Sequence, residues 1–151
     1  MDELDRKIID LLAEDSRRVL NDIGAAVGLS ASAVNERIKR LATSGAIRRF
    51  TIDTDPEAIG LPGLVFIFIA LAPGADEAAF REFAAAHAGI LECHHVTGSW
   101  SYLIKIRVAS LTEVESFLAA LKQAGFAARS ETMLALSSPV PGVFVPNRDA
   151  G

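Results

Sequence analysis

The sequence has a single cysteine, Cys93, among its 151 residues. One thiol can form neither an internal disulfide nor, by itself, a metal site built from several thiolates. The longest apolar run, Gly63–Ala72, stops after ten residues at Pro73, short of the roughly 18 that a membrane span requires. The first residues read MDELDRK and lack the apolar core of a secretory signal. We therefore expect a cytoplasmic protein of one or two small domains, with no resident metal or cofactor.

Basic residues are few overall but unevenly placed. The net charge is −4, yet residues 1–50 hold 9 of the 15 basic and 8 of the 19 acidic side chains, and residues 51–151 hold 6 and 11. Between Arg37 and Arg49 there are five basic residues and no acidic one. Because salt confines the field of a charge to about 8 to 10 Å, such a face can bind phosphate even on an acidic protein. The alternative is an ordinary solvated helix face.

Periodicity and capping residues predict three short helices within the first fifty residues. The predicted spans are 2–14, 20–27 and 30–44, with Asp2 and Ser30 as caps of the first and third. Gly28 and Gly45 supply the permissive residues that follow the second and third helices. Gly24, inside the second helix, weakens it by about 1 kcal/mol and is explained if another helix crosses close by.

The third predicted helix has one apolar and one polar face. At 100° per residue, Val34, Ile38 and Leu41 point inward. The polar side chains opposite them or at the edge are Ser32, Asn35, Glu36, Lys39, Arg40 and Thr43. Such groups suit base edges, and the free N–H groups that follow Ser30 suit a phosphate. A short helix, a glycine turn and a polar-faced helix in succession are the helix-turn-helix pattern that enters the major groove.

The next residues predict a wing and a hinge. Ala46–Ile52 is rich in β-forming residues and carries Arg48 and Arg49, which would point to opposite sides of a regular strand, so that only one would meet the DNA backbone. Residues 53–62, DTDPEAIGLP, combine acids, two prolines and a glycine. We predict a winged helix-turn-helix DNA-binding domain over residues 1–52 and a hinge over residues 53–62.

The pattern of residues 63–136 predicts six secondary-structure elements in the order strand, helix, strand, strand, helix, strand. The spans are 63–71, 76–88, 90–97, 102–108, 111–124 and about 127–136. This order is typical of a ferredoxin-like α+β domain with two helices on one face of an antiparallel sheet. The first strand is apolar at every position from Leu64 to Leu71, so both sheet faces should be buried, and we expect a homodimer through the face without helices. Residues 137–151, with prolines at 139, 141 and 146, form a predicted C-terminal extension.

Six stretches carry a family resemblance. They are LDRKII at 4–9, VGLS at 27–30, VNERIKRL at 34–41, GAI at 45–47, DPEAIG at 55–60 and VTGSWSY at 96–102. Together they resemble the Lrp/AsnC (feast/famine) family of transcriptional regulators, over residues 2 to about 136. The resemblance implies double-stranded DNA as a partner, and an effector-binding domain that dimerises through its sheet and commonly assembles into octamers. It also implies regulation by a small molecule, often an amino acid.

The resemblance places the effector near the turn after the second strand of the C-terminal domain. The corresponding residues are Thr97, Gly98, Ser99, Trp100, Ser101 and Tyr102, with Ser130, Glu131 or Thr132 of a neighbouring subunit as further contacts. In the family a carboxylate commonly occupies the place of Ser101, so this chain departs from the pattern and an α-amino group loses one charged acceptor. Trp100 has a second interpretation, as an aromatic residue packed between dimers.

The leading hypothesis is a sequence-specific transcriptional regulator that is not an enzyme. Its phosphate contacts would be Ser30, Lys39, Arg40, Arg48 and Arg49, and its base-reading residues Ser32, Asn35, Glu36 or Lys39. One alternative is an architectural DNA binder without a ligand, suggested by the missing carboxylate. Another is an enzyme like the siroheme decarboxylases, which share this two-domain layout. Cys93, His94 and His95 are the only cluster of conventional catalytic side chains, but at most two can converge from one strand, whereas zinc needs three or four ligands.

Overall fold

The computed structural model describes residues 1–146, which form two compact units, the first spanning Met1–Thr51 and the second beginning at Ile52. Residues 147–151 of the predicted C-terminal extension lie outside the described residues. No helix within residues 1–146 is long and apolar enough to cross a membrane.

The first unit contains the three predicted helices: α1 (Glu3–Glu14), α2 (Leu20–Val27) and α3 (Ala31–Thr43). Asp2 and Asp5 form a reciprocal capping box at the start of α1, and Ser30 caps α3. Gly28 ends α2 with a φ of 72°, a left-handed conformation that favours glycine. Ile8, Ile23 and Val34, one from each helix, are fully buried and form the core. The helix-turn-helix is therefore held together by apolar packing of its three helices.

The prediction of a wing strand over residues 46–52 was wrong. This segment has no strand; instead the N–H of Ile47 donates to the carbonyl of Leu41 at 3.0 Å, and Ile47 packs against the helical core. The first unit holds no other strand, and a lone strand has no partner for its backbone groups. Gly24 is also explained differently from the prediction, because a Cβ there would lie 2.4 Å from the Leu29 carbonyl oxygen of the turn rather than against a crossing helix.

The second unit has the predicted ferredoxin-like order. Its elements are β1 (Gly63–Leu71), α4 (Glu77–Ala86), β2 (Ile90–His95), β3 (Tyr102–Val108), α5 (Leu111–Gln123) and β4 (Ala127–Leu134). The strands form one antiparallel sheet in the order β2-β3-β1-β4. This arrangement confirms the predicted α+β class.

The two faces of this sheet differ. Val65, Ile67 and Ile69 of β1 are fully buried in one core with side chains of α4 and α5, including Phe80 and Leu121. The alternate residues of β1, Leu64, Phe66 and Phe68, project to the opposite face and are half-buried. We call that opposite side the outer face. The continuous apolar run of β1 thus supplies one fully covered face and one partly covered face.

Candidate DNA interface and effector region

The polar face of α3 is open to solvent. Ser32, Glu36, Lys39 and Thr43 are exposed and Asn35 is half-buried, so the face has the predicted polar character. The Lys39 ammonium lies 3.1 Å from the Glu36 carboxylate, and both side chains are largely exposed. Ser30 is occupied by capping, since its hydroxyl accepts from the N–H of Ala33 at 3.2 Å and contacts the Ser32 hydroxyl at 3.1 Å. It thereby fixes the first turn of α3.

A buried carboxylate links α3 to α1. Asp5 is 1% exposed, and its Oδ1 accepts from Arg37 Nη1 at 2.7 Å and from Arg40 Nη2 at 3.0 Å. Arg37 Nη1 also donates to Asp2 at 2.7 Å. The hydrogen bond from Arg37 is the main reason that the pKa values of both aspartates are lowered. Sequence reasoning missed this pairing, because it joins residues more than thirty positions apart.

The hydrogen bonds to both Asp2 and Asp5 distinguish Arg37 from the other basic residues between positions 37 and 49. Arg37 is paired with two carboxylates and is unsuited to bind DNA phosphate. Arg40 is also bonded to Asp5, but its side chain is 62% exposed, so it can present remaining N–H donors to solvent. Arg48 and Arg49 are both exposed on the irregular segment after α3. The expectation that only one of these two could face DNA depended on a strand that is not formed.

Within residues 97–102, the candidate effector region, Ser101 has a structural role. Its hydroxyl oxygen accepts from the N–H of Leu71 at 3.1 Å, and its own N–H donates to the carbonyl of Ile69 at 2.8 Å. Its carbonyl accepts from the N–H of Val96 at 3.0 Å and so closes the loop that contains Gly98, whose φ is 102°. Ser101 therefore fastens this loop to the end of β1.

Trp100 contacts the outer face. Its ring centroid lies 5.9 Å from that of Phe68, and the Arg129 guanidinium carbon lies 4.4 Å from the Trp100 centroid. Arg129 Nη2 also donates to the carbonyl of Ser99 at 3.2 Å. The guanidinium is thus stacked on the aromatic ring and bonded to the loop backbone. Thr97, Gly98 and Ser99 are exposed around this cluster.

The register of β4 separates Ser130 and Thr132 from Trp100 within one protomer. Ser130 pairs with Ile69 and Thr132 with Ile67, two residues that face α4 and α5. Directly paired residues of antiparallel strands lie on the same face, so Ser130 and Thr132 lie on the helix side. Their neighbours Arg129 and Glu131 pair with Ala70 and Phe68 on the outer face. Glu131 was predicted from the sequence and Arg129 was not, because the sequence alone does not fix the register of β4 against β1.

Tyr102 also belongs to the helix side. It is 3% exposed, its hydroxyl donates to Glu77 at 2.6 Å, and Arg81 Nε donates to that hydroxyl at 2.7 Å. Burial raises the pKa of Tyr102, and its hydrogen bond is the main reason that the pKa of Glu77 is lowered. Tyr102 is therefore engaged with α4, and a direct effector contact would require this network to open.

The Cys93, His94 and His95 cluster is split between the two faces. His95 stacks on Tyr102 with a centroid distance of 4.9 Å, and Cys93 packs against the core on the same side. His94 contacts Glu92 at 3.1 Å on the opposite side. Within residues 1–146, no group of three or more His, Cys, Asp and Glu side chains is arranged to hold a metal ion.

Comparison with known proteins gives two family matches. Residues 1–42 match the AsnC-type helix-turn-helix domain, and residues 64–143 match the Lrp/AsnC ligand binding domain. The HTH-type transcriptional regulator FL11 of Pyrococcus abyssi is 35% identical over 138 residues, 91% of each chain. The leucine-responsive regulatory protein of Haemophilus influenzae is 36% identical over 121 residues, 78% of this chain and 72% of that protein. The solved structure of LrpC from B. subtilis aligns with a TM-score of 0.79 at 29% identity, over 91% of this chain and 96% of that one.

Proposed function

The chain belongs to the Lrp/AsnC family of transcriptional regulators, and we propose from this premise which surfaces bind DNA, a second copy and an effector. The observation that carries the proposal is the exposed polar face of α3, held by the buried Asp5 network on a helix-turn-helix unit. We expect it to act in the cytoplasm, where a transcriptional regulator has access to chromosomal DNA.

On the DNA side, α3 enters the major groove and its polar residues divide between two tasks. Ser32, Asn35, Glu36 and Lys39 face the base edges, where amide, hydroxyl and ammonium groups discriminate between base pairs. Arg40, Arg48 and Arg49 bind phosphates on either side, together with the start of α3 at Ser30. Their exposure and the absence of competing partners for Arg48 and Arg49 among residues 1–146 support this division.

We expect the chain to act as a homodimer that pairs through the outer face, and to assemble further into an octamer. Leu64, Phe66 and Phe68 supply an apolar strip there that the unit itself covers only in part. Partly exposed apolar residues of this kind favour burial against another protein surface. A dimer would place two DNA-binding units on half-sites about 10 to 10.5 base pairs apart, or a multiple of that distance.

The effector we expect is an amino acid, bound at the loop 97–101 on the outer face. Arg129 offers a guanidinium for its carboxylate, Trp100 offers an aromatic surface, and Glu131 lies on the same face as an acceptor for an α-amino group. Glu131 would thereby replace the family carboxylate that is absent at Ser101. The name of the Haemophilus influenzae relative, a leucine-responsive protein, makes leucine the first candidate.

DNA binding is tested by a gel-shift titration with salt, on fragments from the region upstream of the gene. If each subunit neutralises about three phosphates, the logarithm of the dimer's association constant should fall with the logarithm of the salt concentration at a slope of about −5. Footprinting on the same fragments, with and without amino acids, would locate the half-sites. A slope near zero would overturn the assignment of α3 and its basic flanks to DNA.

A ligand-independent architectural DNA binder is the second candidate, because the Ser101 hydroxyl is already bonded to Leu71. Thermal unfolding with each amino acid separates the two: a ligand at 100 times its dissociation constant adds about 2.7 kcal/mol to the stability. An unchanged unfolding temperature across the panel would favour the architectural protein. Neither candidate requires catalysis, and the relatives compared above are named as regulators.

A further inference from the structure

The C-terminal arm, residues 137–146, returns to the hinge at residues 53 and 54. The N–H and the hydroxyl of Thr54 both donate to the Phe144 carbonyl at 3.0 Å. In the opposite direction, the N–H of Phe144 donates to Oδ1 of Asp53 at 2.7 Å. Three hydrogen bonds thus join residues some ninety positions apart, at the point where the hinge begins.

The Phe144 side chain anchors this contact. Its ring is 4% exposed, while the neighbouring Val143 is 66% exposed. The guanidinium carbon of Arg107 lies 5.3 Å from the Phe144 ring centroid. Arg107 Nη1 also donates to the carbonyls of Leu61 and Pro62, at 3.4 and 3.2 Å. One arginine of β3 therefore contacts both the arm and the far end of the hinge.

Between these two attachments the hinge is folded on itself. The N–H of Glu57 donates to Oδ1 of Asp55 at 2.9 Å, and the N–H of Leu61 donates to the carbonyl of Pro56 at 2.8 Å. The preceding residues 48–52 are different, because no hydrogen bond involves them within the described part of the chain. Residues 48–52, which are all exposed, therefore carry the fewest restraints of the connection while the hinge stays attached.

We propose that the C-terminal arm is a strap that holds the hinge on the effector-binding unit and so limits the motion of the DNA-binding unit. With the strap closed, the unrestrained connection is about five residues long; once the strap opens and the turn inside the hinge is released with it, the connection grows to at most about fifteen. A flexible chain spans about 5 to 6 Å times the square root of its length, so the typical reach increases from about 12 to about 21 Å. A longer connection lowers the effective concentration of the second DNA-binding unit at its half-site and loosens the required spacing. This last step rests on the proposed function.

The strap itself is tested by proteolysis of the full chain, without DNA. Glu57 is the only glutamate in the hinge, so a glutamate-specific protease reports whether the hinge is attached. Phe144→Ala should increase cleavage after Glu57 by about tenfold or more, while Val143→Ala, the exposed neighbour, should leave the rate unchanged. Circular dichroism checks that both variants fold. If Phe144→Ala does not fold, Thr54→Val, which removes one of the three hydrogen bonds, replaces it with a smaller expected increase. Equal rates in wild type and the folded variant would overturn the strap.

The consequence for DNA is tested on duplexes with two half-sites, obtained by selection from random sequence. Inserting five base pairs between the half-sites puts them on opposite sides of the duplex, and inserting ten restores their alignment. The wild type should lose affinity with five and regain much of it with ten, whereas Phe144→Ala should show a loss with five that is several-fold smaller. The same spacing dependence in both proteins would overturn the limit on DNA-unit motion. If neither protein bound any selected duplex, the proposed function would fail, while the protease rates would still decide the strap.

Discussion

Arg37 donates through Nη1 to Oδ1 of Asp5 at 2.7 Å, which ties the middle of α3 to the first turn of α1. The carboxylate is almost completely buried, whereas the Arg40 guanidinium that also reaches it is mainly exposed. The basic run from Arg37 to Arg49 therefore contains one structural arginine and a set of four residues that we propose contact DNA. That set consists of Lys39, Arg40, Arg48 and Arg49.

The Asp5 network predicts a loss of stability in acid. The pKa of Asp5 in the folded protein lies below the ordinary value of 3.8, chiefly because Arg37 donates a hydrogen bond to the carboxylate. Folding therefore favours the ionised form of Asp5. The stabilisation is complete above the ordinary pKa and is lost as the pH falls through the lowered one. Thermal unfolding of Asp5→Asn between pH 7 and pH 2 should show a lower unfolding temperature at neutral pH and a weaker decrease below about pH 4 than the wild type. Asp10→Asn, exposed on the same helix, serves as control; if Asp5→Asn keeps the wild-type acid profile, the network does not stabilise the unit.

Gly24→Ala is expected to destabilise the first unit, although alanine is the better helix former. The substitution gains about 1 kcal/mol of helix propensity, but the new Cβ would lie 2.4 Å from the backbone oxygen of Leu29. Moving the turn between α2 and α3 should outweigh the gain, with a net loss of about 1 to 3 kcal/mol in the free energy of unfolding. Denaturant unfolding measures this loss. Ala25→Gly, at the exposed next position, should lose only about 1 kcal/mol, and an increase in stability for Gly24→Ala would contradict the close approach.

Lys39→Ala tests base reading by α3. If Lys39 leaves Glu36 to contact a base, the variant should lose about 1 to 3 kcal/mol of binding free energy on specific DNA and much less on random DNA. Gel shifts on both duplexes give the comparison. Lys7→Ala is the matched control, because Lys7 is an exposed lysine of α1 whose ammonium lies 3.0 Å from the Glu3 carboxylate. Equal losses on the two duplexes would reassign Lys39 to a phosphate.

Arg49→Gln should change the salt dependence of binding more than its sequence preference. Removing one phosphate contact per subunit should make the log-log slope of a dimer shallower by about 2. Arg17→Gln provides the matched control, because Arg17 is an exposed arginine of the same unit but lies in the turn after α1. An unchanged slope for Arg49→Gln would remove this residue from the phosphate contacts.

Arg129→Gln tests the effector region through the fluorescence of Trp100, the only tryptophan of the chain. In the wild type, titration with L-leucine should change the emission, because the ligand carboxylate competes for the guanidinium that stacks on the ring. The variant should bind about tenfold more weakly or worse, as expected for the loss of a charge-assisted hydrogen bond. Lys122→Gln, an exposed cation of α5, controls for the change in net charge. Equal affinity in Arg129→Gln would show that the carboxylate binds elsewhere.

Local signals predicted most of the architecture. The capping pair Asp2 and Asp5, the glycine at 28 and the apolar spacing of α3 are short-range features, and the structure contains each of them. The predicted wing strand over residues 46–52 does not form, because a β-rich stretch becomes a strand only where a partner strand pairs with it. The Arg129–Trp100 contact could not be predicted, because a one-residue change of register exchanges the two faces of β4 and the sequence does not fix that register.

The sequence by itself determined the two units, the polar face of α3 and the fold class, because caps, helical periodicity and strand alternation act between residues close together in the chain. Only the tertiary structure decided which charges are free. Arg37 is neutralised by Asp5 across more than thirty residues, and Phe144 reaches Thr54 across ninety. Contacts of this kind depend on how helices and strands that are distant in the sequence pack together, and no local sequence pattern specifies that packing.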